Sequence, residues 1–210
     1  MADIELKLKN NVVVKGILKV PEKAKGLVIF AHGSGSSRLS PRNNFVANVL
    51  QKAGLATLLM DLLTPEEEAD RSNVFDIDLL SERLEQATVW TRQIPEIKDL
   101  PIGYFGSSTG AAAALQAAAV LGEQIKAVVS RGGRSDLAMD HLDHVIAATL
   151  LIVGGDDDVV ISFNEQSYEQ LKSKKELKII PGAGHLFEES GALEEVARLA
   201  SEWFIKNLKV

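Results

Sequence analysis

The sequence contains no cysteine, which excludes disulfides, thiolate metal sites and a cysteine nucleophile. It also lacks a basic excess. Its 23 Lys and Arg stand against 29 Asp and Glu, giving a net charge of −6, and the basic residues are scattered rather than clustered. Nothing here gathers a phosphate backbone, so nucleic acid is not an expected partner. Long apolar runs are missing too: the longest, residues 111–121, is interrupted by Gln116 and is too short to span a bilayer. The opening MADIELKLKN lacks the positive-then-apolar order of a secretory signal. A soluble, unexported, cytoplasmic chain with no membrane partner is expected. No internal repeat, low-complexity segment or linker interrupts the 210 residues, so a single domain over 1–210 is expected as well.

What is present alternates. Two segments of strand character, 5–9 and 12–20, flank Asn10-Asn11 and read as a hairpin. Short aliphatic and β-branched runs then recur at 26–31, 56–60, 102–105, 125–130, 149–153 and 177–180, each short enough for a strand buried on both faces. Helical periods lie between them. Ser40-Pro41 gives a cap with proline in the first turn, Phe45, Val46, Val49 and Leu50 form a stripe, and Gly54 ends it. Ile77, Leu80, Leu84 and Ala87 repeat at helical steps, Ser162 and Glu165 read as a capping box opening another helix, and Leu193, Val196, Ala200 and Trp203 share a face. The acidic run 65–70 reads as a solvated loop. Alternation behind a hairpin implies a mostly parallel sheet covered by helices on both faces.

In such a sheet, ligands bind beyond the carboxyl ends of the strands, so the residues just after each run carry the functional information. Gly106-Ser107-Ser108-Thr109-Gly110 is G-x-S-x-G only when centred on Ser108. A serine on a sharp strand-to-helix turn needs small residues two positions away on either side. Ser107 is then a support of the turn and Ser108 the presenter of the reactive oxygen. By itself the motif is weak, since it arises by chance in roughly one chain in ten of this size. A serine nucleophile also needs a base, and the base an orienting acid. His185 follows the last predicted strand within Pro181-Gly-Ala-Gly-His185, and Gly154-Gly-Asp-Asp-Asp158 follows the strand before it. Serine, acid and histidine thus each stand just past a strand, in the chain order Ser, Asp, His. Asp157, third after Gly154, is the preferred acid, with Asp156 in reserve.

The turn Ala31-His-Gly-Ser-Gly-Ser-Ser-Arg38 is built of small residues that let backbone approach a ligand. The amide of Ser34 is placed to join that of Thr109 around an oxyanion. His32 reads as a structural residue beneath that loop. The same stretch lacks the third glycine of a dinucleotide fingerprint and the Gly-Lys-Ser/Thr of a P-loop. Arg131 and Arg134 follow one strand, Arg38 and Arg42 another, and an arginine fork suits a substrate carboxylate. The cluster Asp140-His141-Leu-Asp143-His144 has metal-ligand residue types, but it leads away from the predicted site, so no metal and no cofactor are expected.

At AHGSGSS, GSSTG, GGDDD and GAGHLFEE the chain resembles the dienelactone hydrolase-like branch of the α/β-hydrolases, over nearly its whole length. The resemblance implies an α/β-hydrolase fold without a cap domain and hydrolysis of esters or lactones without a metal. It makes Ser108 the nucleophile, Asp157 the acid, His185 the base, and Ser34 and Thr109 the oxyanion amides. The namesake enzymes use cysteine where this chain has Ser108, so a general carboxylester substrate is expected rather than dienelactone. A small-molecule ester, lactone or thioester is the expected partner. The rival readings are a thioesterase or acyltransferase with the same triad, and a non-catalytic ligand-binding protein on this scaffold. Fewer than about twenty residues separate Ser130 from the next strand, too few for a lid.

Overall fold

The computed structural model describes residues 3–209. They build one eight-stranded sheet in the order β1-β2-β4-β3-β5-β6-β7-β8. β1 (Asp3–Lys7) and β2 (Val13–Lys19) form the antiparallel hairpin, and β2 pairs antiparallel with β4 (Ala56–Met60). From β3 (Leu27–Ala31) onward the strands run parallel: β4, β5 (Ile102–Ser107), β6 (Ile125–Arg131), β7 (Ala148–Gly154) and β8 (Lys175–Ile180). The chain winds outward from β3 to β4 and then returns past β3 to β5. The strand order therefore reverses between β3 and β5, and the crevice above their carboxyl ends is where a ligand site forms in open parallel sheets.

Period-two alternation splits the core into two layers. On β3, Leu27, Ile29 and Ala31 face one layer while Val28 and Phe30 face the other. The first layer is covered by α3 (Ile77–Thr91) and α4 (Thr109–Leu121), the second by α1 (Pro41–Lys52) and α6 (Ala192–Asn207). Each fully buried Leu, Ile or Phe contributes about 1.5–3 kcal/mol relative to exposure. α4 is buried from Thr109 through Ala118. Its alanines let the helix approach the sheet closely while α3 packs on its other side, and this seats its N-terminus against the end of β5.

The six parallel strands, α1, α3 and α6 fall where the periodicity predicts. Ser40 caps α1 by accepting the Asn43 amide at 3.3 Å, with Pro41 in the first turn. Four expectations need correction. The hairpin turn is wider than Asn10-Asn11 alone: Lys9–Asn11 form a short 3₁₀ turn, with Asn10 and Asn11 both at positive φ. The acidic run is not a bare loop. Thr64 and Glu67 form a reciprocal capping box that opens α2 (Pro65–Glu68), and Glu67 pairs with the buried Arg83 of α3. α5 (Asp158–Gln170) begins with Asp157 at its cap position, so Ser162 and Glu165 lie inside the helix instead of opening it. Finally, β8 is not buried on both faces: as the edge strand it keeps Lys178 and Ile179 exposed.

Candidate active site

β5 ends at Ser107 and α4 begins at Thr109, which leaves Ser108 alone to make the turn. Its backbone sits at φ 50° and ψ −121°, a strained conformation for a residue with a Cβ. The surroundings enforce it. A Cβ at Gly106 would lie 2.4 Å from the Ala111 Cα, and one at Gly110 would lie 2.3 Å from the Ala31 carbonyl oxygen. Hydrogen bonds hold the turn from the β6 side, with the Ser108 amide donating to the Arg131 carbonyl at 3.2 Å and the Arg134 amide donating to the Ser108 carbonyl at 3.0 Å. Ser107 is buried, and its hydroxyl donates to Asn43 Oδ1 at 3.1 Å. The two serines have different tasks: Ser107 ties the elbow to α1, and Ser108 is left partly exposed in the cleft.

His185 and its acid meet through the loops after β8 and β7. The Nδ1 of His185 donates to Asp157 Oδ2 at 2.7 Å, whereas Asp156 and Asp158 are exposed. With Nδ1 carrying the proton, Nε2 is the free acceptor nitrogen. The two loops interlock because Gly154 has no side chain: a Cβ there would sit 2.3 Å from the Ala183 carbonyl oxygen. Beyond His185, Phe187 adopts φ 55° while fully buried. That conformation is rare for a bulky residue, and the buried ring anchors the histidine loop. Ser108, His185, Ser34 and Arg131 line one cleft of about 220 Å³.

A second cavity of about 230 Å³ shares Gly33, Ser34 and Ser36 with the first and runs between Thr109 and an apolar wall of Leu62, Leu63, Val74 and Leu80. Between the two cavities lies the loop after β3. His32 fixes it from below: Nδ1 donates to the Gly33 carbonyl at 2.9 Å, and Nε2 accepts the Leu62 amide at 3.1 Å. Burial pulls the His32 pKa below its ordinary 6.5, against opposing effects of the Gly33 hydrogen bond and the Asp61 and Glu68 carboxylates. The ring is a neutral strut, as expected of it. The Ser34 amide is engaged, donating to Thr109 Oγ1 at 3.0 Å. The Thr109 amide, in the first turn of α4, is one of those a helix leaves without an internal partner.

The four arginines divide. Arg38 is paired with Asp61, donating to it from its backbone amide at 2.8 Å and from Nη1 at 2.7 Å, while its buried Nε has no hydrogen-bond partner. Arg134 grips Asp136 with Nε and Nη2 at 2.9 and 2.8 Å, stacks on Phe163, and lines neither cavity. Arg42 pairs with Glu188 at 3.0 Å. Arg131 forms no ion pair among the described residues. The Asp140–His144 cluster lies in a 3₁₀ helix, Ser135–His144, where His144 pairs with its neighbour Asp143. Asn43 and Phe187 were not singled out from the sequence. A buried asparagine in a first helical turn and an aromatic two residues past a histidine carry no signal of their own until the loops are assembled.

Residues 14–206 match the dienelactone hydrolase family. A crystal structure of a dienelactone hydrolase from Anabaena variabilis is 57% identical, with a TM-score of 0.96 over 99% of this chain and 98% of that one. Two Mycobacterium tuberculosis proteins provisionally named phosphoribosyl transferases are 59% identical over 197 residues. The match takes in 94% of this chain but only 44% of theirs. Est1E from Butyrivibrio proteoclasticus, at 16% identity and a TM-score of 0.82 over 98% of both chains, shares the fold.

Proposed function

The chain belongs to the dienelactone hydrolase family, and from that membership and its site geometry we propose that it is a serine hydrolase cleaving carboxylic esters or lactones through an acyl-enzyme. The observation that carries the reading is the strained elbow of Ser108 sharing a cleft with His185, whose Nδ1 is held by Asp157. Nε2 of His185 takes the Ser108 proton as the hydroxyl oxygen attacks the ester carbonyl. The Thr109 amide receives the developing oxyanion. The Ser34 amide joins it by exchanging the Thr109 hydroxyl for the oxyanion, which is the stronger, charged acceptor. The protonated His185 then donates to the leaving alcohol, and water repeats the sequence on the acyl-enzyme. No cofactor is called for.

Ser108→Ala tests the reading on p-nitrophenyl butyrate. Turnover should fall by about a thousandfold or more, and retained turnover would refute the assignment. Thioesters and alcohol acceptors supplied in the same assay separate hydrolysis from acyl transfer by their products. The transferase name of the M. tuberculosis relatives belongs to chains of which this one spans less than half, so that activity is not carried over to it.

A further inference from the structure

We infer that Asn164 is a positioning residue that fixes Ser108 relative to the Asp157–His185 pair; this deepens the serine hydrolase reading and rests on it. The two halves of the triad hang from different loops. Asp157 stands at the cap of α5 and His185 follows β8, whereas the backbone of Ser108 is held by the segment after β6. That segment, residues 131–135, touches every part of the site. Its Arg131 carbonyl and Arg134 amide engage both backbone groups of Ser108, and a Cβ at Gly132 would lie 3.5 Å from the His185 ring. A Cβ at Gly133 would come within 2.7 Å of the Ala111 methyl group, so the segment is pressed onto the helix that begins at the elbow. Whatever moves this segment moves the nucleophile.

Asn164 reaches that segment from α5. Its Nδ2 donates to the Gly133 carbonyl at 2.8 Å and, within its own helix, to the Val160 carbonyl at 2.8 Å. It stands seven residues after Asp157, close to two helical turns, so Asp157, Val160 and Asn164 follow one side of the helix. Among the described residues this is the one side-chain hydrogen bond between α5 and residues 131–135. The side chain is fully buried, yet Oδ1 has no hydrogen-bond partner. An unpaired amide oxygen is costly in a core, so the residue is held there for its donor end. From below, the Gly132 amide donates to the Ile152 carbonyl of β7 at 2.8 Å. Asn164 supplies the matching tie from α5, midway between the two residues that grip Ser108. Transfer of the Ser108 proton to Nε2 depends on this alignment, since a misplacement of about 1 Å costs about a hundredfold in rate.

Asn164→Leu, similar in shape but without a donor, tests this on p-nitrophenyl butyrate. kcat should fall by about tenfold or more with KM within about twofold of wild type, because substrate contacts are untouched while proton transfer is misaligned. A purely structural role would lower the melting temperature and leave kcat of the folded protein unchanged. The sharper readout is a cycle of fluorophosphonate labelling rates with His185→Ala, a background that has no imidazole to align. There Asn164→Leu should slow labelling by less than about twofold, against about tenfold with His185 in place. Equal slowing in both backgrounds overturns the inference, as does a loss confined to KM or a folded variant with kcat within about twofold of wild type. If Asn164→Leu does not fold, Asn164→Ser, small enough to admit a water to the Gly133 carbonyl, decides by the same criteria. Failure of both variants to fold overturns positioning in favour of a structural role. A wild type that cleaves no ester and takes no label fails the hydrolase reading and this inference with it; an active, labelled wild type beside an unimpaired variant fails this inference alone.

Discussion

His185 Nδ1 donates to Asp157 Oδ2 at 2.7 Å, while Asp156, one residue earlier in the chain, is exposed to solvent. Only one of three consecutive aspartates therefore fixes the imidazole, and the two substitutions should separate cleanly. Asp157→Asn is expected to lower kcat on p-nitrophenyl butyrate by about a thousandfold or more, because the amide no longer selects the tautomer with Nε2 free. Asp156→Asn should stay within about threefold of wild type. Equal losses in both variants would mean that the acids share the task.

The elbow makes a stability prediction. A methyl group at Gly110 would press to 2.3 and 2.4 Å from the Ala31 and His32 carbonyl oxygens, both backbone atoms that cannot swing aside. Gly110→Ala should cost about 3 kcal/mol or more in urea unfolding. A loss below about 1 kcal/mol would show that β3 and α4 can separate without penalty.

His32 predicts an acid-side weakness. A histidine whose folded pKa lies below its ordinary 6.5 binds fewer protons folded than unfolded. Its contribution is intact above the unfolded value and is lost as pH falls through 6.5 towards the folded one. Protonation also removes Nε2 as acceptor for the Leu62 amide. Between pH about 7 and about 5, the melting temperature should fall more steeply for wild type than for His32→Gln. Parallel curves would assign the acid sensitivity elsewhere.

Arg38 should behave as a strut. Its pair with Asp61 has side-chain exposures of only 12% and 18%, so Arg38→Met leaves a poorly solvated carboxylate and should destabilise by about 1–3 kcal/mol. Combining it with Asp61→Leu should cost less than the sum of the two single changes, as urea titrations of all four proteins will show. Strict additivity would mean the pair contributes nothing.

Much of this architecture is legible in the sequence, because buried parallel strands write short aliphatic runs and the site residues stand directly after them. β4 lies at 56–60 as its composition indicates, and the turns holding Ser108, Asp157 and His185 are marked by small residues that close approach demands. What the sequence leaves unreadable depends on partners distant along the chain. Glu67 belongs to a capped turn facing Arg83 rather than to a loop, and Arg38 is claimed by Asp61, which is 23 residues away. Ser162 and Glu165 have the capping-box spacing, yet α5 is already under way because Asp157 lies at its cap position and Asp158 opens it. The engagement of the Ser34 amide by the Thr109 hydroxyl joins residues 75 apart, and no local pattern announces it.

The most direct measurement is the site of covalent modification by a fluorophosphonate, read by mass spectrometry of the digested protein. The account predicts a single adduct on Ser108, with Ser107 unmodified, and labelling that becomes at least about a hundredfold slower in His185→Ala. An adduct on another residue, or none on a folded protein, would contradict it.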